Sequence, residues 1–383
     1  MSRPLRTLKY FSGAGGASEG LLSAGCELLA CVEYDPHAHA TALAAGHPSV
    51  LGDVRDVTAQ WSGDPVDLLW ASPPCQAFSS AGKRKGEADT RNGWPWTLDA
   101  VDTIHPRWLI CENVPGLLHH NGGCKPRDGS TPGCAGCYWI GSVLPAFRAR
   151  FPHVEVRTLD AADHGVPQHR RRVFLVAGPR AIQWPEPTHG PGRAYPWVSI
   201  GEALGVSAVG RPTAHGPGEV VAERGLVDLS ARPARTVSGI AAGVEKGGGM
   251  GFFVRTECLG SPASPSTEPA PTVSTVMNTY LHAEDPGTRR AKDVLTCPAP
   301  CLTIGDHASS RNVISASAKA RGEYDRAGIS RLTVRQCATL QGFPADYPWQ
   351  GTQTEQYRQV GNAVIPRIAE LLARAVTDAD GAP

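Results

Sequence analysis

Residues 67–85, reading DLLWASPPCQAFSSAGKRK, hold the grouping best suited to chemistry. An apolar run, 67–71, has strand length and stops at Ser72, Pro73 and Pro74, immediately before Cys75. A thiol is thereby offered at a strand's carboxyl end, the edge where open α/β sheets bind ligands, with two prolines limiting its approach geometry. A lone cysteine in a turn is also commonly a small buried hydrophobe, so Cys75 alone leaves both readings open. Gln76, Ser79, Lys83, Arg84 and Lys85 follow in a small, polar, basic loop that could close over a polyanion.

Two further groupings must reach the same edge. The run 107–111 is apolar enough for a buried parallel strand and delivers Glu112, Asn113 and Val114. Near the start, a strand at 7–11 turns through Ser12-Gly-Ala-Gly-Gly16 into a helix. Glycines there let the backbone approach a ligand and leave helix-start N–H groups free, although many α/β folds use such a turn for packing alone. A second strand, 28–32, ends in Glu33, twenty residues after Gly13. In doubly wound nucleotide folds an acid at that position bonds the cofactor ribose; the alternative is a solvent-facing acid near a helix start. Asp35 and Pro36 then cap and start a helix that stops near Gly46, and residues 52–54 end a third strand.

The rest of the first half alternates in the same way. A helix is expected at 97–104 and another at 143–150, then a strand at 154–159. The segment from His164 to Arg172 crowds Gln168, Arg170 and Arg172 before a strand at 173–177; by itself it reads as a solvated basic turn or a phosphate contact. Between His119 and Tyr138, Cys134 and Cys137 have metal-ligand spacing. With Cys124 and either His119 or His120 they would hold a structural zinc; the alternative is a cysteine-bearing insertion without metal.

The 383 residues, 41% hydrophobic and 19% charged, suffice for two domains with real cores, and no stretch approaches a membrane span. The amino terminus lacks a signal peptide's apolar core, and eleven irregularly spaced cysteines argue against a disulfide framework, so a reducing cytoplasm is expected. A net charge of +1 does not announce a nucleic-acid binder, so basic residues for one must be placed locally. From about 185 to 330 the composition shifts to Pro, Gly, Ser and Thr. Within it, RPARTVS, EPAPTVS and CPAPCLT suggest proline-led turns feeding short strands of a small β-rich domain. Regular structure returns with a helix at 331–341 and a last amphipathic helix ending near Val376.

Read in order, these segments resemble the cytosine-C5 methyltransferase family: FSGAGG, PPCQAFSSAGKRKG, ENV, GVPQHRRRVF and YRQVGNAV match its motifs in sequence. The resemblance implies a Rossmann-like, doubly wound, mostly parallel α/β domain built from 1–185 and 331–383, with 186–330 as the target-recognition domain. It implies S-adenosyl-L-methionine as methyl donor, held by Phe11, Ser12, Gly13, Gly15, Gly16, Glu33, Asp53, Pro74, Asn362 and Val364. Cys75 becomes the nucleophile, with Glu112, Gln168, Arg170 and Arg172 around the base, and Gln76, Ser79, Lys83, Arg84 and Lys85 on DNA. Double-stranded DNA is the implied partner, a cognate restriction endonuclease a further one, and a monomer the default. A tRNA-directed enzyme and a catalytically silent DNA-binding relative share parts of the pattern. The long middle segment speaks against the first, and the full set of Cys75, Glu112, Gln168, Arg170 and Arg172 against the second.

Overall fold

The computed structural model describes residues 3–74, 92–120, 124, 131, 134–198, 200–204 and 333–381. Cys75, Gln76, Ser79, Lys83, Arg84, Lys85 and residues 205–330 of the β-rich domain expected at 186–330 lie outside the described residues. Strands β1 (Arg6–Tyr10), β2 (Glu27–Glu33), β3 (Ser49–Leu51), β4 (Leu68–Ala71), β5 (Trp108–Asn113), β6 (His153–Asp160) and β7 (Arg171–Gly178) form one sheet in the order β3-β2-β1-β4-β5-β7-β6. All neighbouring pairs are parallel except those made by β7, which runs antiparallel to both β5 and β6. The strand order reverses between β1 and β4, so a crevice opens beyond their carboxyl ends.

Apolar side chains on both faces explain the continuous hydrophobic runs. Leu8, Tyr10, Leu69, Ala71, Leu109, Cys111 and Leu175 point to one face, where they meet α4 (Trp94–Ile104) and the helical stretch that ends in α6 (Leu144–Arg148). Trp70, Trp108, Ile110, Phe174 and Val176 point to the other, beneath α1 (Gly16–Ser23) and the carboxyl-terminal helix. Helix α2 (Pro36–Ala44) starts as expected, with Asp35 Oδ1 accepting from the His37 and Ala38 N–H groups at 2.9 and 3.1 Å. A single turn, α3 (Val54–Val57), is capped by Asp53. The helix expected at 143–150 begins earlier, as α5 (Ala135–Tyr138), and widens into a π-helical turn at Trp139–Val143 before α6. Pro145 accounts for the widening: it has no N–H to return, and its ring crowds the carbonyl four residues back.

After α7 (Ile200–Leu204) the described chain resumes in α8 (Val334–Leu340), α9 (Gln353–Asn362) and α10 (Pro366–Gly381). Helix α9, which the sequence had merged into the approach to the last helix, owes its start to a reciprocal cap between Thr352 and Glu355. Residues just past the boundary expected at 185 make contacts with this body. Thr188 and His189 N–H groups bond Asp163 O, the Trp197 indole donates to Asp163 Oδ1 at 3.0 Å, and Ala203 and Leu204 pack on the α8–α9 cluster. Proline and glycine richness there marks an irregular path over the same body, not a departure from it. No described helix is long and apolar enough to cross a membrane.

Two features of β1 and α1 govern the assembly. A Cβ on Gly20 would meet the Pro366 carbonyl oxygen and come within 2.7 Å of Ala369 Cβ; one on Gly16 would meet the Val364 carbonyl oxygen. Glycine at both positions therefore lets α10 lie directly on α1. Lys9, fully buried in β1, donates from Nζ to Ser12 O, and its burial lowers its pKa from 10.5 to about 8 against the pull of Cys31, Glu33 and Glu112.

Gly20→Ala is expected to lower stability by about 1–3 kcal/mol, because the opposing atoms are backbone and an alanine Cβ, none of which can swing aside; an unchanged denaturant midpoint would contradict this packing. Lys9→Met is expected to gain stability at pH 7 by removing the cost of the buried charge, less what is lost with the hydrogen bond to Ser12 O. Below pH 8 the folded and unfolded chains both hold the proton, so the cost of burying the charge is fully present. It is relieved as pH rises from about 8 to 10.5, where only the unfolded chain stays protonated, so the variant's advantage should vanish above that window. Melting curves across this range check it, and an advantage that persisted at pH 11 would refute a charge origin.

Candidate active site

The glycine turn after β1 has the backbone of a ligand cradle. Phe11, Gly13 and Gly15 take positive φ values of 54°, 57° and 100°. A side chain on Gly13 would meet nothing within 4 Å, whereas one on Gly15 would strike His47 and the Tyr347 hydroxyl. The turn is thus open on one side and braced on the other. The brace comes from Tyr347, whose hydroxyl donates to Ala14 O, and from His47, paired with Glu19 at 2.8 Å. Neither was suggested by the sequence, since each acts across a tertiary contact.

Glu33 sits where a ribose-binding acid was expected, at the end of β2. Its Oε2 accepts from Gly13 N and its Oε1 from Asp35 N at 2.7 Å, so the carboxylate ties the glycine turn to the start of α2. Each oxygen retains a lone pair for a hydroxyl. The Ser12 hydroxyl beside it is buried without a partner among the described residues. Asp53 faces Arg55, whose Nε and terminal nitrogen donate to it at 2.9 and 2.6 Å, and that hydrogen bonding holds its carboxyl below the usual range. The Arg55 guanidinium lies 4.7 Å from the Trp96 ring centroid, and Trp96 stacks on Phe11 at 6.4 Å. Trp96 and Arg55 are additions to the expected set; the WPW run at 94–96 was the available signal, but its helix-start position gave no reason to aim it here. Open backbone, an orphaned hydroxyl, a strand-end carboxylate and a flat aromatic wall fit a nucleoside such as that of S-adenosyl-L-methionine.

Cys75 lies outside the described residues, yet both ends of its segment are fixed. At the leading end, Asn113 Nδ2 donates to Pro73 O at 3.1 Å, tying the end of β4 to the end of β5. At the returning end, Gly93 packs on both prolines: a Cβ there would come 2.8 Å from Pro73, 2.9 Å from Pro74 and 3.3 Å from Phe11. Asn92 donates to the Tyr138 hydroxyl at 3.0 Å. The residues on either side of the segment, Pro74 and Gly93, therefore meet beside the glycine turn.

Glu112, expected just past the strand, lies within β5. The strand runs on because β7 pairs with it beyond the point where β4 stops: Ala71 faces Cys111, while Glu112 and Asn113 face Phe174 and Val173. The same pairing brings Arg172 Nε to 3.1 Å from Glu112 Oε1, with both side chains nearly buried. Burial raises the Glu112 pKa, and Arg172, Arg170 and Lys9 oppose the rise. This is a carboxyl group biased toward holding a proton yet fixed in orientation by an arginine.

Arg170, which also acts on Glu112, reaches the carboxyl-terminal link. Its terminal nitrogen donates to Gly361 O at 2.9 Å and Ala363 O at 2.8 Å, clamping the link between α9 and α10. Gln168 is fully buried, and its amide has no partner among the described residues. Val364 is buried against Gly16, and Asn362, at the end of α9, is exposed.

The C-5 cytosine-specific DNA methylase family model matches residues 5–189 and 272–378. The chain is 29% identical over 387 residues to the Type II methyltransferase M1.HphI of Haemophilus parahaemolyticus, covering 97% of this chain and 86% of that one. It is 30% identical over 399 residues to the Type II methyltransferase M.XorII of Xanthomonas oryzae pv. oryzae, covering 98% and 84%. The fold is similar to the S. pombe Dnmt2 methyltransferase, with a TM-score of 0.51 at 18% identity, covering 99% of this chain and 100% of that one. It is also similar to the Entamoeba histolytica methyltransferase EhMeth, with a TM-score of 0.53 at 13% identity, covering 99% of each. With a family model that spans most of its length and the motif order preserved from the glycine turn to the last helix, this chain belongs to the C-5 cytosine-specific DNA methylase family.

Proposed function

We propose that the protein transfers a methyl group from S-adenosyl-L-methionine to C5 of a flipped-out cytosine within a specific short sequence of double-stranded DNA, by way of a covalent bond from Cys75 to C6. The observation that carries the reading is the buried Glu112–Arg172 pair at the sheet edge where β4 ends in Ser72, Pro73 and Pro74. Cytosine C5 is a weak nucleophile until a thiolate adds at C6. That addition is easier when N3 is protonated or hydrogen-bonded, which a carboxyl held against the Watson–Crick edge provides. Glu112, with its pKa raised by burial, is the proton donor, and Arg172 orients it and faces the O2 side of the ring.

When bound, S-adenosyl-L-methionine supplies a sulfonium methyl. Phe11, Ser12, Gly13, Gly15, Gly16, Glu33, Asp53, Pro74, Asn362 and Val364 would hold it, with Trp96 and Arg55 added at the aromatic wall. The enamine-like C5 attacks the methyl; a base then removes the C5 proton, and Cys75 leaves by elimination across C5–C6. Gln168 offers its buried amide to the base pocket. Arg170 is a positioning residue, because its guanidinium holds the carboxyl-terminal link against the pocket. A stacked duplex hides C6, so the base must be extruded at a cost of roughly a few kcal/mol. Gln76, Ser79, Lys83, Arg84 and Lys85 would contact DNA around it, and the segment from 205 to 330 would read base edges. Both relatives named above are Type II methyltransferases, which makes a restriction endonuclease of the same sequence specificity the expected functional companion.

Expression in cells without cytosine methylation, followed by bisulfite sequencing, should give protected cytosines in one recurrent short sequence, and none with Cys75→Ala. A folded protein that leaves DNA unprotected would overturn the reading. Cys75→Ala should retain DNA binding in a mobility-shift assay while losing all methyl transfer; residual turnover would rule out covalent catalysis by this residue. Glu112→Gln should slow transfer by about 10²-fold or more, as loss of a general acid does. An unchanged single-turnover rate would remove Glu112 from the mechanism.

A further inference from the structure

We propose that His120, Cys124, Cys134 and Cys137 bind a structural zinc ion that fixes the helix on which the returning end of the Cys75 segment rests. The sequence left the histidine open between 119 and 120; the fold turns His120 toward the three sulfurs. His120 Nδ1 lies 3.4 Å from Cys124 Sγ, 3.8 Å from Cys134 Sγ and 3.5 Å from Cys137 Sγ. In a tetrahedral site with Zn–N near 2.05 Å and Zn–S near 2.3 Å, the nitrogen–sulfur edge is about 3.6 Å. The three separations straddle that value. Cys124 and Cys137 are 2.9 Å apart, well beyond the ~2.0 Å of a disulfide; two thiolates on one tetrahedral zinc stand about 3.8 Å apart, so these two sulfurs must separate by about 0.9 Å to take up the ion. All four ligand atoms lie within 4.8 Å of one another.

The surroundings are built for this arrangement. Cys134 and Cys137 are buried, and His120 and Cys124 are partly covered. Gly136, between the two buried cysteines, donates its N–H to His119 O at 2.9 Å. A Cβ on Gly136 would come 2.9 Å from both Cδ2 and Nε2 of His120, so only glycine leaves the imidazole where it stands. Three thiolates and one imidazole are soft donors with no carboxylate among them, which selects zinc over magnesium or calcium. Four protein ligands leave no open position, which makes the site structural.

Its mechanical consequence follows from the next residues. Tyr138 receives the Asn92 hydrogen bond, and Trp139 packs on Trp94 with ring centroids 5.2 Å apart. The metal would pin α5 at its first turn, and through Tyr138 and Trp139 the start of α4, where the chain returns from Cys75. This last link rests on the methyltransferase reading; the metal site does not.

The test is elemental analysis of the full-length protein purified without added zinc and without chelator. About one zinc per chain is expected, falling to a small fraction in Cys124→Ser and in His120→Ala. Because those variants could fold poorly, protein produced in cobalt-supplemented medium provides a second readout. Tetrahedral thiolate ligation should give strong visible d–d bands and a sulfur-to-cobalt charge-transfer band in the wild type. Substoichiometric zinc with no cobalt spectrum, zinc content unchanged in both variants, or a mapped Cys124–Cys137 disulfide would each overturn the proposal. The failure of zinc binding would leave methyl transfer by Cys75 untouched, so the two readings fail separately.

Discussion

Gly16 and Gly20 let the last helix of the chain lie with its backbone directly on the first, and the site depends on that approach. Without a Cβ at either position, the carbonyls of Val364 and Pro366 reach the surface of α1, so the glycine turn is backed by protein from the far end of the sequence. Arg170 secures the same link from the opposite side through the Gly361 and Ala363 carbonyls. A buried guanidinium that satisfies carbonyls at a helix end performs the role of a cap, because those acceptors would otherwise be stranded away from water. Tyr347, bonded to Ala14 O, adds a third tie. The glycine turn is therefore held in a joint between segments from opposite ends of the described sequence.

A second constraint is charge in a dry place. Lys9, Glu112 and Arg172 lie on or beside the sheet with little access to water, and both cations act on Glu112. Burying one charge is expensive; grouping them with opposite signs offsets part of the cost and fixes orientation. Lys9 supports the turn through Ser12 O, and Glu112 is held by Arg172. The price in stability is consistent with a site kept for reactivity. The antiparallel strand β7 makes this possible: inserted between β5 and β6, it extends β5 by two residues and brings Arg172 alongside Glu112.

Much of this was legible in the residues. Apolar runs of strand length located the central strands to within a few residues, since a sheet covered on both faces must be hydrophobic there; the edge strands β3 and β6 are more exposed and carry a weaker signal. The Ser12–Gly16 turn, Glu33 at its strand end and the Asp35–Pro36 helix start were readable for local reasons of backbone freedom, strand length and capping. The zinc-ligand spacing of Cys134 and Cys137 was visible too. Helix α9 was not separated from its successor, and composition gave no sign of the contacts that Trp197, Ala203 and Leu204 make with this body, because irregular Pro- and Gly-rich chain carries no periodicity.

By itself the sequence determined which residues avoid water, which backbone positions need glycine, and which reactive groups stand at strand ends. Only the tertiary structure decided what those groups face. That Arg170 grips the carboxyl-terminal link while Arg172, two residues on, meets Glu112 follows from the register of β7. That His120, not His119, joins the cysteines follows from the turn at Gly136. Trp96 and Arg55 become a wall because α3 and α4 converge beside Phe11. Local pattern records a residue's own preference for burial or conformation; the partner that satisfies it can come from any distance along the chain, and only packing selects it.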